Sequence, residues 1–279
     1  MEGVPDAKHT ADVNNKSKPS TIDEYKVWMK STLGHEYDLK DQHRYDSNLK
    51  SALDSISQHT FIMELEKELQ LWLSEYKRDR SSDLFMIPPI LNLAPKPYKS
   101  SIDKCFRTNV IWNEKYPNAP KMGWVTPVNV YSILNDLIRT RFVCKFIDGP
   151  RFVTEKLGEY FKAKGQQCEV YSQENDRGYY AHHFHTWFDV EIMDSKWDAS
   201  IEKIQLEIQV TTQLQDILDS LTHPYYEISR INPEPRDDNQ WKWDTKSNRF
   251  RSAYMGHTLH LLEAIILDIR DKPDNSPKK

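Results

Sequence analysis

The sequence predicts an α+β fold: a mixed sheet of about five strands with helices packed on one face, polar side chains on the other, and helical extensions at both ends. Two observations predict it. Apolar residues recur at helical spacing through the first third of the chain. Three later stretches, 139–146, 181–192 and 204–210, alternate with the period of two that marks half-buried strands.

Taken in order, residues 1–20 are polar and rich in Lys, Asn, Asp and Ser, which predicts a disordered tail. Thr21 followed by Glu24 is a capping-box pattern, and Tyr25, Trp28, Met29 and Leu33 then fall at helical spacing, so a first helix should begin near Ile22. From Tyr45 to about Arg80, Leu49, Leu53, Ile56, Phe61, Met63, Leu65, Leu69 and Leu73 support two helices, or one broken near His59-Thr60. Residues 21–80 therefore read as a helical extension.

The texture changes at 84–93, an apolar run interrupted by Pro88 and Pro89 that suits a sheet edge, and we place the first strand there. A helix should follow from about Tyr98 to Asn113, then a proline-containing loop, then a helix opened by Pro127 that delivers Asp136. In 139–146, Arg141, Val143 and Lys145 oppose Phe142, Cys144 and Phe146. A helix over about 150–164 and a strand near 168–171 come next. Phe184, Phe188, Val190 and Ile192 then share one strand face, with His183, His185, Asp189 and Glu191 on the other. Ile204, Leu206, Ile208 and Val210 likewise oppose Gln205, Glu207 and Gln209.

Thr212 can cap a helix to about Ser229, with Pro224 a point of interruption, and a loop with Trp241 and Trp243 leads to a last helix over 248–270. The expected organisation is a catalytic core at 81–235, a C-terminal loop and helix packed on it at 236–270, and a second disordered tail at 271–279.

A balance of 38 basic against 42 acidic residues argues against a surface that traps nucleic acid as a whole, though a local basic groove stays open. Cys105, Cys144 and Cys168 are odd in number and at no metal-ligand spacing, so they read as reduced thiols of a cytoplasmic protein. No apolar run approaches the roughly 20 residues that cross a bilayer, and the first residues lack a secretory pattern, so no membrane partner is expected.

Four short segments carry the chemistry. Lys96, Ser100 and Lys104 are four apart and would line one face of a helix that follows a strand, presenting cations and a hydroxyl to phosphates. Asp136 is expected at a helix-to-strand junction with Arg141 five residues on. Tyr179 follows Gly178 in a polar turn, so its ring can project from the loop, and His183 comes four residues later. Glu207 and Gln209 are consecutive on the polar face of a strand whose other face is core. Two acids for a divalent cation, several cations for phosphates and a ring that can stack on a base suit phosphoryl chemistry on nucleotides. His182, His183 and His185, like Gly256-His257 with His260, lack a third ligand at characteristic spacing, so polar packing is their expected role.

In these segments the chain resembles the synthetase domain of the RelA/SpoT family, a nucleotidyltransferase-like core that moves pyrophosphate from ATP to a nucleotide 3′-hydroxyl. The resemblance covers about 84–230 and rests on Lys96-Pro-Tyr-Lys-Ser100-Ser-Ile-Asp-Lys104, Asp136-Leu-Ile-Arg-Thr-Arg141, Gly178-Tyr179-Tyr-Ala-His-His183 and Glu207-Ile-Gln209-Val-Thr-Thr. It is similar in particular to small, single-function alarmone synthetases, some of them toxins. The resemblance implies Mg²⁺ on Asp136 and Glu207, with Glu207 also handling the attacking hydroxyl. It gives ATP and its phosphates to Lys96, Ser100, Lys104 and Arg141, and the acceptor to Tyr179, His183 and Gln209. Where the family places an arginine two residues before Lys96, this chain has Ala94, and Arg107 and Arg151 are the candidates to replace it.

The expected activity is transfer from ATP to GDP or GTP, yielding a (p)ppGpp-type alarmone and AMP. The absence of a His-Asp dipeptide implies synthesis without hydrolysis. A second reading keeps the chemistry but moves it to an adenosine nucleotide or the tRNA 3′ end, as a growth-arresting toxin with an antitoxin partner. Thr211, where many alarmone synthetases carry arginine, favours that branch. A third, prompted by Ala94, is a catalytically silent nucleotide-binding regulator.

Overall fold

Side-chain caps set where the first helices begin. A computed structural model describes residues 18–174, 178–231 and 239–272, so nearly all of the two expected tails lies outside the described residues. In α1 (Ile22–Trp28), Thr21 Oγ1 accepts from Glu24 N at 3.2 Å while the Glu24 carboxylate accepts from Ser20 N at 2.8 Å. Asp38 caps α2 (Leu39–Ser57) by accepting from Asp41 N at 2.8 Å, which is why this helix starts ahead of Tyr45, where the apolar pattern begins. It breaks from α3 (Thr60–Arg80) at His59, as expected.

The run 84–93 is not the first strand. It makes one bridge, Phe85 to Cys144, and the edge strand is β1 (Ala94–Pro95), antiparallel to residues 138–139. Pro88 and Pro89 have no N–H to give a ladder, so the apolar content of this run goes into packing through Leu84, Phe85 and Leu93. α4 (Tyr98–Phe106) continues into a wide π turn over 107–111. The helix expected from Pro127 shrinks to α5 (Val130–Ile133). Asn129 holds the preceding loop instead, accepting from Thr126 N at 2.8 Å and donating to Trp124 O at 3.0 Å.

β2 (Ile138–Cys144), β3 (Cys168–Glu174), β4 (Tyr180–Met193) and β5 (Ala199–Thr212) complete a five-stranded sheet in the order β1-β2-β5-β4-β3. β2 and β5 are parallel and the other pairs antiparallel, so the sheet is mixed and the fold α+β. One face buries Phe142, Phe184, Leu206, Ile208 and Val210 against Val153, Leu157 and Phe161 of α6 (Gly149–Ala163), and α2 and α3 add Leu49, Ile56, Leu65 and Leu69 to the same core. The other face carries two polar rows across the strands. Arg139, Glu207 and His185 are register partners in one, and Arg141, Gln209, His183 and Tyr171 in the next.

α7 (Gln213–Ile231) begins with Thr212 Oγ1 accepting from Gln215 N at 3.2 Å, and it runs on through Pro224. It borders the polar face. α8 (Asn248–Asp271), capped by Ser247, crosses the loop before β4 so closely that a Cβ on Gly256 would lie 2.0 Å from the Gly178 carbonyl oxygen. At its far end Arg270 donates to both Asp148 carboxylate oxygens, at 3.1 and 3.0 Å, and to Tyr76 Oη at 2.9 Å. Among the described residues no helix is long and apolar enough to cross a membrane.

Candidate active site

Asp136 lies in the loop between α5 and β2 with φ 70°, a left-handed conformation that few residues other than Gly, Asn and Asp adopt. That turn aims its carboxylate back at two lysines. Lys96 Nζ donates to Oδ2 and Lys104 Nζ to Oδ1, each at 2.9 Å, and Lys104 also reaches Asn135 O at 2.9 Å. β1 makes this possible: Lys96 N bonds Leu137 O at 2.8 Å, and Tyr45 Oη donates to Lys96 O at 3.0 Å. Burial lowers the Lys96 pKa, and Asp136 opposes the shift.

Glu207 faces the histidines of the neighbouring strand. Its Oε1 is 2.6 Å from His183 Nδ1 and 3.7 Å from His185 Nε2. Burial pushes this carboxyl up, but the hydrogen bonds and charge of the two histidines more than offset it and leave the pKa well below the ordinary value. Tyr171 stacks on His183 with centroids 4.9 Å apart and planes 6° from parallel.

A third group starts from Arg141, whose Nε donates to Gln209 Oε1 at 2.9 Å and whose Nη1 donates to Asp216 Oδ1 at 2.6 Å. Gln209 in turn donates through Nε2 to Tyr179 Oη. Asp219 lies 3.9 Å from Arg141. Burial raises its carboxyl to about 6, with Arg141 opposing and Asp216 adding to the rise.

These groups line one cleft of about 350 Å³, which brings together Lys96, Lys104, Asp136, Arg141, Tyr179, His183, Glu207 and Gln209. Ser100 is half-buried on α4 and is not among the lining residues. Lys96 precedes the helix rather than riding on it, because Pro97 is the N-cap of α4. Of the two candidates to replace the arginine absent at Ala94, Arg107 lines the cleft and lies over the Trp112 ring at 4.9 Å, while Arg151 pairs with Glu155 on the surface.

Sequence reasoning missed Trp112, Arg139, Gln173 and Asp219 in the lining. It also missed the third donor beside His183 and His185: Glu207 belongs with them in a cluster whose ligand atoms all lie within 4.8 Å of one another. Cross-strand register supplies that donor, and residue spacing along the chain does not encode it.

No family model matches the chain, and no curated protein matches it. Solved structures do. The small alarmone synthetase 2 from Bacillus subtilis is 17% identical, with 80% of this chain and 94% of that chain covered at a TM-score of 0.44. The small alarmone synthetase 1 from Bacillus subtilis is 15% identical over 82% of this chain and 98% of that chain, at a TM-score of 0.46. A GTP pyrophosphokinase family protein from Streptococcus pneumoniae is 14% identical over 85% and 100%, also at 0.46. The chain is thus similar in structure to small alarmone synthetases along most of its length, at low identity.

Proposed function

We propose that the protein is a nucleotide pyrophosphokinase, which moves the β- and γ-phosphates of ATP as one group to the 3′-hydroxyl of GDP or GTP and releases AMP. One observation carries this reading. Residues from four separated segments, with two carboxylates, two lysines, an arginine and a tyrosine among them, line a single cleft. The motif resemblance supports it independently.

Asp136 and Glu207 offer carboxylate oxygens, the donors that Mg²⁺ takes together with substrate phosphates, so the residues present fit that ion. Bound there, Mg²⁺ would neutralise charge on the transferred and leaving oxygens. The chain's own groups do the rest. Lys96 and Lys104, now on Asp136, pass to the phosphates of ATP, and Arg141 adds a third cation. Tyr179, held by Gln209, stacks on the acceptor base. An acceptor contact that draws on the His183 N–H weakens the hydrogen bond to Glu207 and makes that carboxylate more basic. It then accepts the 3′-hydroxyl proton as that oxygen attacks the β-phosphorus and the bond to the AMP oxygen breaks.

Glu207→Ala is expected to remain folded and to release no AMP from ATP; undiminished turnover in that variant would refute the assignment. γ-Labelled ATP offered with GDP, GTP, no other acceptor, or deacylated tRNA identifies the acceptor. Label on guanosine supports the first reading. Thr211, beside Val143 in the sheet, motivates the second, in which label appears on adenosine or tRNA. No transfer to any acceptor leaves a nucleotide-binding regulator.

A further inference from the structure

We infer that His183, His185 and Glu207 form a binding site for a transition-metal dication of the Zn²⁺ class, chemically distinct from the hard-cation role of Asp136 with Glu207. His185 is the register partner of Glu207 across β4 and β5, and His183 pairs with Gln209 on the same face. Their ligand atoms, one nitrogen from each ring and one carboxylate oxygen, all lie within 4.8 Å of one another. Two imidazoles and one carboxylate are a donor set that holds Zn²⁺ and leaves a position open, whereas Mg²⁺ prefers oxygen alone.

The surroundings suit an ion. His183 is 4% and His185 6% exposed, so both rings are fixed by packing, while Glu207 opens on the cleft and gives a path of entry. Tyr171 stacks on His183, and its hydroxyl lies 3.4 Å from His185 Nε2, restraining both rings. His183 Nε2 is buried with no hydrogen-bond partner among the described residues. A cation that takes the Nδ1 lone pair therefore breaks one hydrogen bond, that to Glu207, and the ring proton moves from Nδ1 to Nε2, where no bond is lost. Metal–nitrogen and metal–oxygen contacts replace it. If Glu207 is the base of the proposed transfer, such an ion withdraws it from the hydroxyl and switches the enzyme off; that consequence rests on the proposed function, and the binding does not.

Chelator-treated full-length protein titrated with Co²⁺, without nucleotides, tests the site. About one equivalent should bind with the visible absorption of a low-coordinate ion and be displaced by Zn²⁺ but not by excess Mg²⁺. His185→Ala should weaken binding by at least the roughly 10–100-fold that loss of even an outer partner costs, while His260→Ala should not. Absence of saturable binding, displacement by Mg²⁺, or an unchanged spectrum in His185→Ala would overturn the inference. Should His185→Ala not fold, imidazole nitrogen NMR shifts of the wild type decide, since Zn²⁺ that leaves those of His183 and His185 unmoved also overturns it. Transfer assayed in Mg²⁺ separates the two claims. Co²⁺ binding without any transfer sinks the kinase reading and leaves the metal site standing, whereas transfer that survives saturating Zn²⁺ sinks the switch.

Discussion

Asp136 accepts a left-handed backbone that costs most residues about 1–3 kcal/mol, and it has two ammonium groups to show for it. Because burial already lowers the Lys96 pKa and Asp136 opposes that shift, Asp136→Asn should drive it lower still. Asparagine tolerates the same backbone, so the fold should survive. NMR titration of Lys96 Nζ checks this, and an unmoved pKa would mean the pair is electrostatically idle. Asp219 offers a test of opposite sign. Its carboxyl is raised from 3.8 to about 6, so the stability it contributes is full below about pH 4 and lost as pH rises through about 6. Relative to Asp219→Asn, the wild type should lose about 1–3 kcal/mol between about pH 4 and about pH 7, read from denaturant midpoints. A constant difference across that range would contradict the assignment. Arg141→Ala should raise the Asp219 pKa further, because Arg141 is the group that holds it down.

At the level of elements, the sheet was legible because its strands bury one face and keep polar groups on the other, a pattern written directly into the order of residues. That pattern also put Glu207 and Gln209 on the site's side. Pairing between strands is not written so locally. Nothing near 207 in the chain announces that His185 will lie opposite, and nothing in α7 marks Asp219 as a neighbour of Arg141. Pro97 misled for a physical reason, since it caps α4 and leaves Lys96 on the strand side of the helix start. The crossing of α8 over the loop before β4 makes its own prediction. Gly178 has φ 75° and its carbonyl lies where a Gly256 side chain would be, while Tyr180 Oη and His257 Nδ1 share a hydrogen bond of 2.7 Å. Gly256→Ala should therefore destabilise by about 1–3 kcal/mol and displace the segment that presents Tyr179. In a transfer assay the acceptor KM should rise more than the ATP KM. Equal changes in both, or none, would show that α8 does not position this loop.

Across the whole molecule, the two helical extensions meet each other and the core at a shared acid. Tyr76 of α3 donates to Asp148 Oδ1 at 2.8 Å, and Arg270 of α8 grips both oxygens of the same carboxylate while lying over the Phe146 ring at 4.9 Å. Asp148 precedes α6, so a single acid joins the N-terminal extension, the core and the C-terminal helix. Arg270→Ala should cost about 1–3 kcal/mol, because it leaves a partly buried carboxylate to the Tyr76 hydroxyl and to Arg80 at 3.8 Å, and Arg270→Lys should recover only part of that. A thermal melt unchanged by the alanine variant would show that the junction is ornamental.

The parallel pairing of β2 with β5 bears on the order of events as the chain is made. β5 lies between β2 and β4, yet it is the last of the five strands along the sequence. During synthesis the earlier strands emerge first with a gap where their shared neighbour belongs, and contacts of such long range close slowly. The residue at 207 arrives inside that final strand. A nascent chain halted before β5 thus has Asp136 with both its lysines but no second carboxylate and no central ladder, so the cleft is completed at a late stage of translation.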